Sequence, residues 1–328
     1  MNRLTALGVT AGAFVAAGVT AKVVDVRRTS ARRDELADAT AFGTVHSPAQ
    51  TVVAHDGTSI NVEVDEAPDA PADAPTIVFA HGWTCTLDTW HFQRLALRGR
   101  YRMVFYDQRS HGASGRSHAD SSGLDDLAQD LAAVLDAHVP DGPVVLVGHS
   151  MGGMTLMELA GREPKLFGTR VVATMLIGTS SGRLIHEAPA LAKLAPLLRV
   201  ASPVLDWGRG FNSRTLMKRW AVGPGASDAA VDMTDLMIRQ ARTQVLLDFY
   251  PNFVTLDTTA GLVDLGQVPT VVLCGTKDML TPFKHSRRLA ETIPGATLVA
   301  VEGAGHMVML EQPGRVTEAL QGLLERAA

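Results

Sequence analysis

Cysteine is nearly absent from this chain. Cys85 and Cys274 are the two thiols in 328 residues, far apart and outside any C-x-x-C pair. This argues against a disulfide-stapled scaffold and against a zinc module built on paired Cys and His. Both thiols are expected as small buried side chains. A basic surplus is missing too: 30 Lys plus Arg stand against 34 Asp plus Glu, a formal net charge of −4. That balance cannot neutralise a phosphate backbone, so nucleic acid is not an expected partner. No internal repeat occurs, which removes solenoids and propellers. The histidines show no convergent metal-ligand spacing, and no metal site is expected. What remains, 46% hydrophobic and 20% charged, is an ordinary core-forming composition.

The first segment stands apart. Leu4 to Val24 carries no charge before Lys22 and approaches the ~20 residues that span a bilayer. Its Gly and Thr content makes insertion marginal. It reads as a single-pass anchor over residues 1–25, as a secretory signal cut after Val19-Thr20-Ala21, or as an apolar tail. Lys22, Arg27, Arg28, Arg32 and Arg33 outweigh Arg3, so an anchor would leave the following domain in the cytoplasm, whereas a cleaved signal would send it outside. Residues 26–48 read as a linker, and Ala67 to Pro75 as an exposed loop.

From residue 49 to 328 strands and helices alternate. Val52 to Val64 has a hairpin signal at Asp56-Gly57. Thr76–Ala80, Tyr101–Tyr106, Val144–Val147, Val171–Ile177 and Thr270–Cys274 are compact apolar runs bounded by Gly, Asp or Pro, as buried parallel strands are. Leu124, Leu127, Leu131, Val134 and Leu135 share a helical face, and Met151–Arg162 follows Val147 as a second helix. The expectation is an α/β sheet with helices on both faces. Residues 184–263 break the alternation, with Leu, Met and Trp at helical spacing, as an inserted cap over a pocket would.

Gly148-His149-Ser150-Met151-Gly152 fits G-x-S-x-G directly between strand and helix, the context in which that motif carries chemistry. The tight turn leaves no space for side chains at Gly148 and Gly152, and it aims the Ser150 hydroxyl at the helix N-terminus. A serine hydroxyl needs a base, and the base needs an acid to fix its tautomer. Asp278, after the strand ending at Cys274, and His306, between glycine turns after Thr297–Val301, sit just past strand ends where open sheets gather ligands. An oxyanion hole needs two N–H donors. The expected pair is the Met151 amide and the Trp83 amide, in the turn His81-Gly82-Trp83. The histidines His81, His111 and His149 are expected in hydrogen-bonded structural roles.

These motifs, in this order, resemble the α/β-hydrolase superfamily from about Val52 to the C-terminus. The resemblance implies an α/β-hydrolase fold: a mostly parallel eight-stranded sheet flanked by helices, with an inserted helical cap. It makes His81-Gly82-Trp83 the oxyanion turn, Ser150 the nucleophile, Asp278 the acid and His306 the base. Asp107 to Ser114 is similar to the family's D-x-R-G-x-G-x-S loop, with Ser110 where glycine usually stands. A serine nucleophile separates the chain from the dehalogenase and epoxide-hydrolase branches. The leading expectation is cleavage of a carboxylic ester with an apolar acyl or alkyl group through an acyl-enzyme, with no cofactor. A cofactor-free perhydrolase or haloperoxidase-like enzyme on the same triad is the alternative. A membrane-tethered, non-catalytic binding domain is the third reading. The expected partner is a small-molecule ester, with membrane association possible through residues 4–24. Oligomeric state has no signature in the chain.

Overall fold

The computed structural model describes residues 41–71, 73–182 and 213–327, together with Leu184 and Ser202. The apolar segment 4–24 and the first part of the linker lie outside the described residues, as do Leu191, Leu194, Leu197, Leu198, Trp207 and Phe211 of the cap. Among the described residues no helix is long and apolar enough to cross a membrane.

The strands are β1 (Ala49–Val53), β2 (Ser59–Asp65), β3 (Thr76–Ala80), β4 (Met103–Tyr106), β5 (Val144–His149), β6 (Val171–Ile177), β7 (Thr270–Gly275) and β8 (Thr297–Val301). They form one eight-stranded sheet in the order β1-β2-β4-β3-β5-β6-β7-β8. The β1–β2 and β2–β4 pairings are antiparallel and the remaining ones parallel, so the sheet is mostly parallel, as expected. The β1–β2 hairpin turns at Asp56-Gly57, where Gly57 takes a φ of 85° that a side chain would resist.

The continuous apolar runs are explained by burial on both faces. In β3 and β5 the side chains Val78, Ala80, Val144 and Leu146 enter one core, and Ile77, Phe79, Val145 and Val147 the other. The first core is closed by α2 (Leu124–His138), α3 (Met151–Arg162) and α8 (Phe283–Thr292). The second is closed by α1 (His91–Leu97), α9 (Val308–Glu311) and α10 (Pro313–Ala327). In α2, Leu127, Leu131, Val134 and Leu135 are buried on the predicted face.

Between β6 and β7 the chain leaves the sheet. The insertion contains α4 (Ser213–Trp220), α5 (Asp228–Gln240), α6 (Thr243–Val254) and the short α7 (Leu262–Leu265). Of the apolar cap residues that sequence singles out, Met237 is buried, Leu216 and Met233 pack against the second core, and Leu236 is 49% exposed. The described cap apolars thus mostly hold the insertion to the sheet. The end of the stretch read as linker is attached as well: Ser47 Oγ donates to Asp65 Oδ1, and Phe42 lies 5.3 Å from the His91 ring. Cys85 and Cys274 are free and buried, and burial pushes each thiol up to about 12.

Candidate active site

Strand order reverses at β3, which lies between β4 and β5, and the C-terminal ends of these strands are where open sheets place their ligands. Ser150 sits there, between the last residue of β5 and the first of α3, with φ 52° and ψ −114°. Such an angle costs a non-glycine residue about 1–3 kcal/mol, so its surroundings must enforce it. The Ser150 amide donates to Ile177 O at 2.9 Å, and Thr179 Oγ1 donates to Ser150 O at 2.7 Å. A Cβ on Gly152 would come 2.1 Å from Ala80 O, and one on Gly148 would come 2.7 Å from the Gly152 carbonyl carbon. The two glycines let α3 press against the end of β3 and so close the turn.

Asp278 follows β7 and is 4% exposed. Its Oδ1 accepts the amides of Leu280 and Thr281, both at 2.8 Å. Its Oδ2 accepts the Thr281 hydroxyl at 2.8 Å and His306 Nδ1 at 2.9 Å. A carboxylate can only accept, so the shared proton resides on Nδ1 and His306 Nε2 presents a lone pair. Thr281 Oγ1 also lies 3.2 Å from Nδ1, on the same side of the ring.

Ser150, Asp278 and His306 are drawn together through their neighbours. His149, adjacent to Ser150, donates from Nε2 to the His306 carbonyl at 3.1 Å, with the two rings 4.6 Å apart. Burial, and then the charge of His306, push the His149 pKa well below its usual value, so it is a neutral structural contact, as expected. Gly178, after β6, fills the remaining gap: a Cβ there would come 3.2 Å from Asp278 Oδ2 and 3.5 Å from His306 Nδ1.

The insertion reaches this site. The amides of His306 and Met307 donate to Ala221 O at 3.0 and 3.1 Å, just past α4. Glu311 accepts the Gly305 amide on both oxygens, at 2.9 and 3.0 Å, and the Gly223 amide at 2.7 Å. Burial raises the Glu311 carboxyl, while the two amides pull it back down.

The turn after β3 faces the elbow. A Cβ on Gly82 would come 3.2 Å from Ser150 Cβ and 2.8 Å from His149 Nδ1, so only glycine allows the two loops this approach. Trp83 follows Gly82. Its indole packs on Phe253 at 4.9 Å and reaches toward Val245 O of α6, leaving its backbone amide in the turn. Met151 opens α3, where the first amides lack intrahelical partners. His81 donates from Nδ1 to Gly82 O at 2.7 Å and accepts the Gln108 amide at 3.0 Å, which fixes the turn. The Asp107 loop is a bracket: its carboxylate accepts the amides of Leu87 and Ala113, each at 2.9 Å. Among the described residues no group of three or more His, Cys, Asp or Glu could hold a metal ion. Thr281, Gly178 and Glu311 escaped the sequence reading. The three-residue step from Asp278 to Thr281, which suits a side chain accepting backbone amides, was the available signal for the first.

Comparison with known proteins agrees with the fold. The profile of the Alpha/beta hydrolase family matches residues 77–319. A 3-oxoadipate enol-lactonase of Acinetobacter baylyi is 26% identical over 272 residues, 82% of this chain and 96% of its own length. Two solved structures share the fold. A thermophilic esterase from Thermogutta terrifontis superposes with a TM-score of 0.69 at 22% identity, over 86% of this chain and 99% of that one. A bromoperoxidase from Bacillus anthracis gives 0.68 at 19%, over 85% and 100%. With most of its length matched by the family profile, the chain belongs to the alpha/beta hydrolase family.

Proposed function

We propose that this protein is a serine hydrolase that cleaves a carboxylic ester with an apolar acyl or alkyl group through an acyl-enzyme on Ser150. The observation that carries the reading is the 2.9 Å bond from His306 Nδ1 to Asp278 Oδ2, beside a serine held at φ 52°. With Nδ1–H committed to the carboxylate, Nε2 is the free base. Ser150 Oγ attacks the ester carbonyl carbon while its proton passes to His306 Nε2. The amides of Trp83 and Met151 receive the developing oxyanion. As the tetrahedral adduct collapses, the C–O bond to the alcohol breaks and His306 returns the proton to the leaving oxygen. Water then repeats the sequence on the acyl-enzyme, releasing the acid and restoring Ser150. Similarity to a protein named an enol-lactonase extends the reading to cyclic esters, in which acid and alcohol leave as one molecule.

The test is a panel of p-nitrophenyl esters of rising acyl length together with a simple lactone. The wild-type protein is expected to turn over the panel with a preferred chain length, and Ser150→Ala and His306→Ala to lose about 10³-fold or more in kcat. Turnover by Ser150→Ala at the wild-type rate would contradict the assignment.

A further inference from the structure

The two amides that the proposed mechanism gives to the oxyanion belong to different loops. Trp83 follows β3 and Met151 follows β5, so the spacing between the donors depends on what holds the two segments together. Both must reach one oxygen at about 3 Å to serve it. One side chain bonds to both segments. Gln108 follows β4 and is fully buried, its Nε2 donates to His81 O, and its Oε1 accepts from Thr155 Oγ1 at 3.1 Å. Thr155 is also fully buried, one turn into α3, and its hydroxyl shares its proton with Met151 O at 3.0 Å. These partners fix the orientation of the carboxamide, because a backbone carbonyl can only accept and so takes the nitrogen.

Gln108 also sets the direction of the Trp83 amide. Its backbone N–H donates to His81 Nε2 at 3.0 Å, which leaves the ring proton on Nδ1, and Nδ1–H donates to Gly82 O at 2.7 Å. Burial pushes the His81 pKa down to about 4, so the ring keeps this single-proton form at neutral pH. The Cys85 amide donates to the same carbonyl at 3.2 Å. In a trans peptide the N–H points opposite to the C=O, and the described residues contain no cis bond. With Gly82 O turned toward His81 and Cys85, the Trp83 N–H of that peptide points the other way. Among the described residues it donates to no backbone carbonyl. A flip of this peptide would break both bonds to Gly82 O and withdraw one oxyanion donor.

We propose that Gln108 is a positioning residue of the ester-cleaving site, its carboxamide tying the oxyanion turn at His81 to α3 at Thr155 so that the Trp83 and Met151 amides converge on one oxygen. This rests on the acyl-enzyme reading of Ser150. Gln108 acts through His81 and Thr155 rather than on the substrate. Removing an oxyanion donor lowers kcat by about 10²–10³-fold, so displacing one is expected to lower it by about tenfold to a hundredfold.

The test compares wild type with Gln108→Met, Gln108→Glu, Thr155→Val and the double variant Gln108→Met/Thr155→Val on p-nitrophenyl butyrate. Rates are expressed per active site counted by exhaustive fluorophosphonate titration, so that misfolded protein does not enter. Gln108→Met is expected to lower kcat by about tenfold to a hundredfold with KM little changed. Inhibition by phenylboronic acid, which forms a tetrahedral adduct on serine, is expected to weaken in parallel. Thr155→Val is expected to lose less, and the double variant no more than Gln108→Met alone. Gln108→Glu adds a pH signature. Protonated, its carboxyl donates to His81 O and accepts from Thr155; ionised, it has no donor. Its kcat relative to wild type is expected to fall as pH rises, while that of Gln108→Met stays constant. An active wild type whose Gln108→Met variant keeps the wild-type kcat per titrated site overturns the proposal alone, as does a loss confined to the number of titratable sites. Losses that multiply in the double variant overturn the bridge to Thr155, and a pH-independent Gln108→Glu overturns the bond to His81. A wild type that neither cleaves the ester nor takes up the fluorophosphonate overturns the acyl-enzyme reading, and this proposal with it.

Discussion

The amide of Gly223 donates to Glu311 Oε2 at 2.7 Å, so the end of α4 is bonded to the same carboxylate that holds Gly305 beside His306. The insertion therefore positions the proposed base. Glu311→Ala leaves two buried amides without an acceptor, which costs about 1–3 kcal/mol each when no water replaces it. Denaturant unfolding is expected to show a loss of that order. Glu311→Gln keeps an amide oxygen and is expected to lose less. If Ala and Gln variants match wild type in both stability and kcat, the clamp has no role.

Thr281 is the second support of the base. Its hydroxyl donates to Asp278 Oδ2 at 2.8 Å, and Thr281→Val keeps the shape while removing that bond. A neutral-to-charged hydrogen bond contributes about 1.5–3 kcal/mol. The variant is expected to lower kcat about tenfold with KM little changed, as fits a group acting through Asp278 rather than on the substrate. A change confined to KM would place Thr281 in substrate contact instead.

The elbow admits no side chain at Gly152, where an added Cβ would meet Ala80 O at 2.1 Å. Both partners are backbone, so relief requires α3 to shift away from β3. Overpacking of this kind costs about 1–3 kcal/mol or more. Gly152→Ala is expected to lose at least that much by urea unfolding and to lose ester turnover with it. An active, fully stable Gly152→Ala would mean that α3 does not press on β3 as described.

Three buried histidines set an acid limit on the fold. Burial is the first cause in each: His81 falls to about 4, His111 to about 3, and His149 lies well below its usual range. A depressed folded pKa means that the unfolded chain binds the proton more readily. The stability these groups contribute is present above about pH 6.5 and is lost as pH falls toward their folded values. Well below pH 6.5 each contributes a slope of about 1.4 kcal/mol per pH unit. Urea unfolding between pH 6 and 5 is expected to show falling stability. The slope should drop by about one proton in His149→Gln. An unchanged slope in that variant would mean that His149 is already charged in the folded state.

Motifs that depend on one short stretch of backbone were legible in the sequence. The glycines around Ser150, the turn at Gly82 and the strand ends before Asp278 and His306 each leave a local trace, because a sharp turn permits few residue types. The alternation of apolar runs gave the parallel sheet for a similar reason. Gly178 and Glu311 act through partners brought in by folding, so their identities alone carried no such signal, and Thr281 left only its three-residue step from Asp278. The cap residues were ambiguous for another reason. A Leu or Met at helical spacing reads the same whether it is left exposed, as Leu236 is, or packs into the core beneath, as Met217 does.

The most direct measurement of the central claim is intact-protein mass spectrometry after treatment with a fluorophosphonate, wild type beside Ser150→Ala. A single adduct on the wild-type protein and none on the variant is the result expected of a nucleophilic Ser150 activated by His306 and Asp278. Labelling of neither protein, or equal labelling of both, would contradict an acyl-enzyme on Ser150.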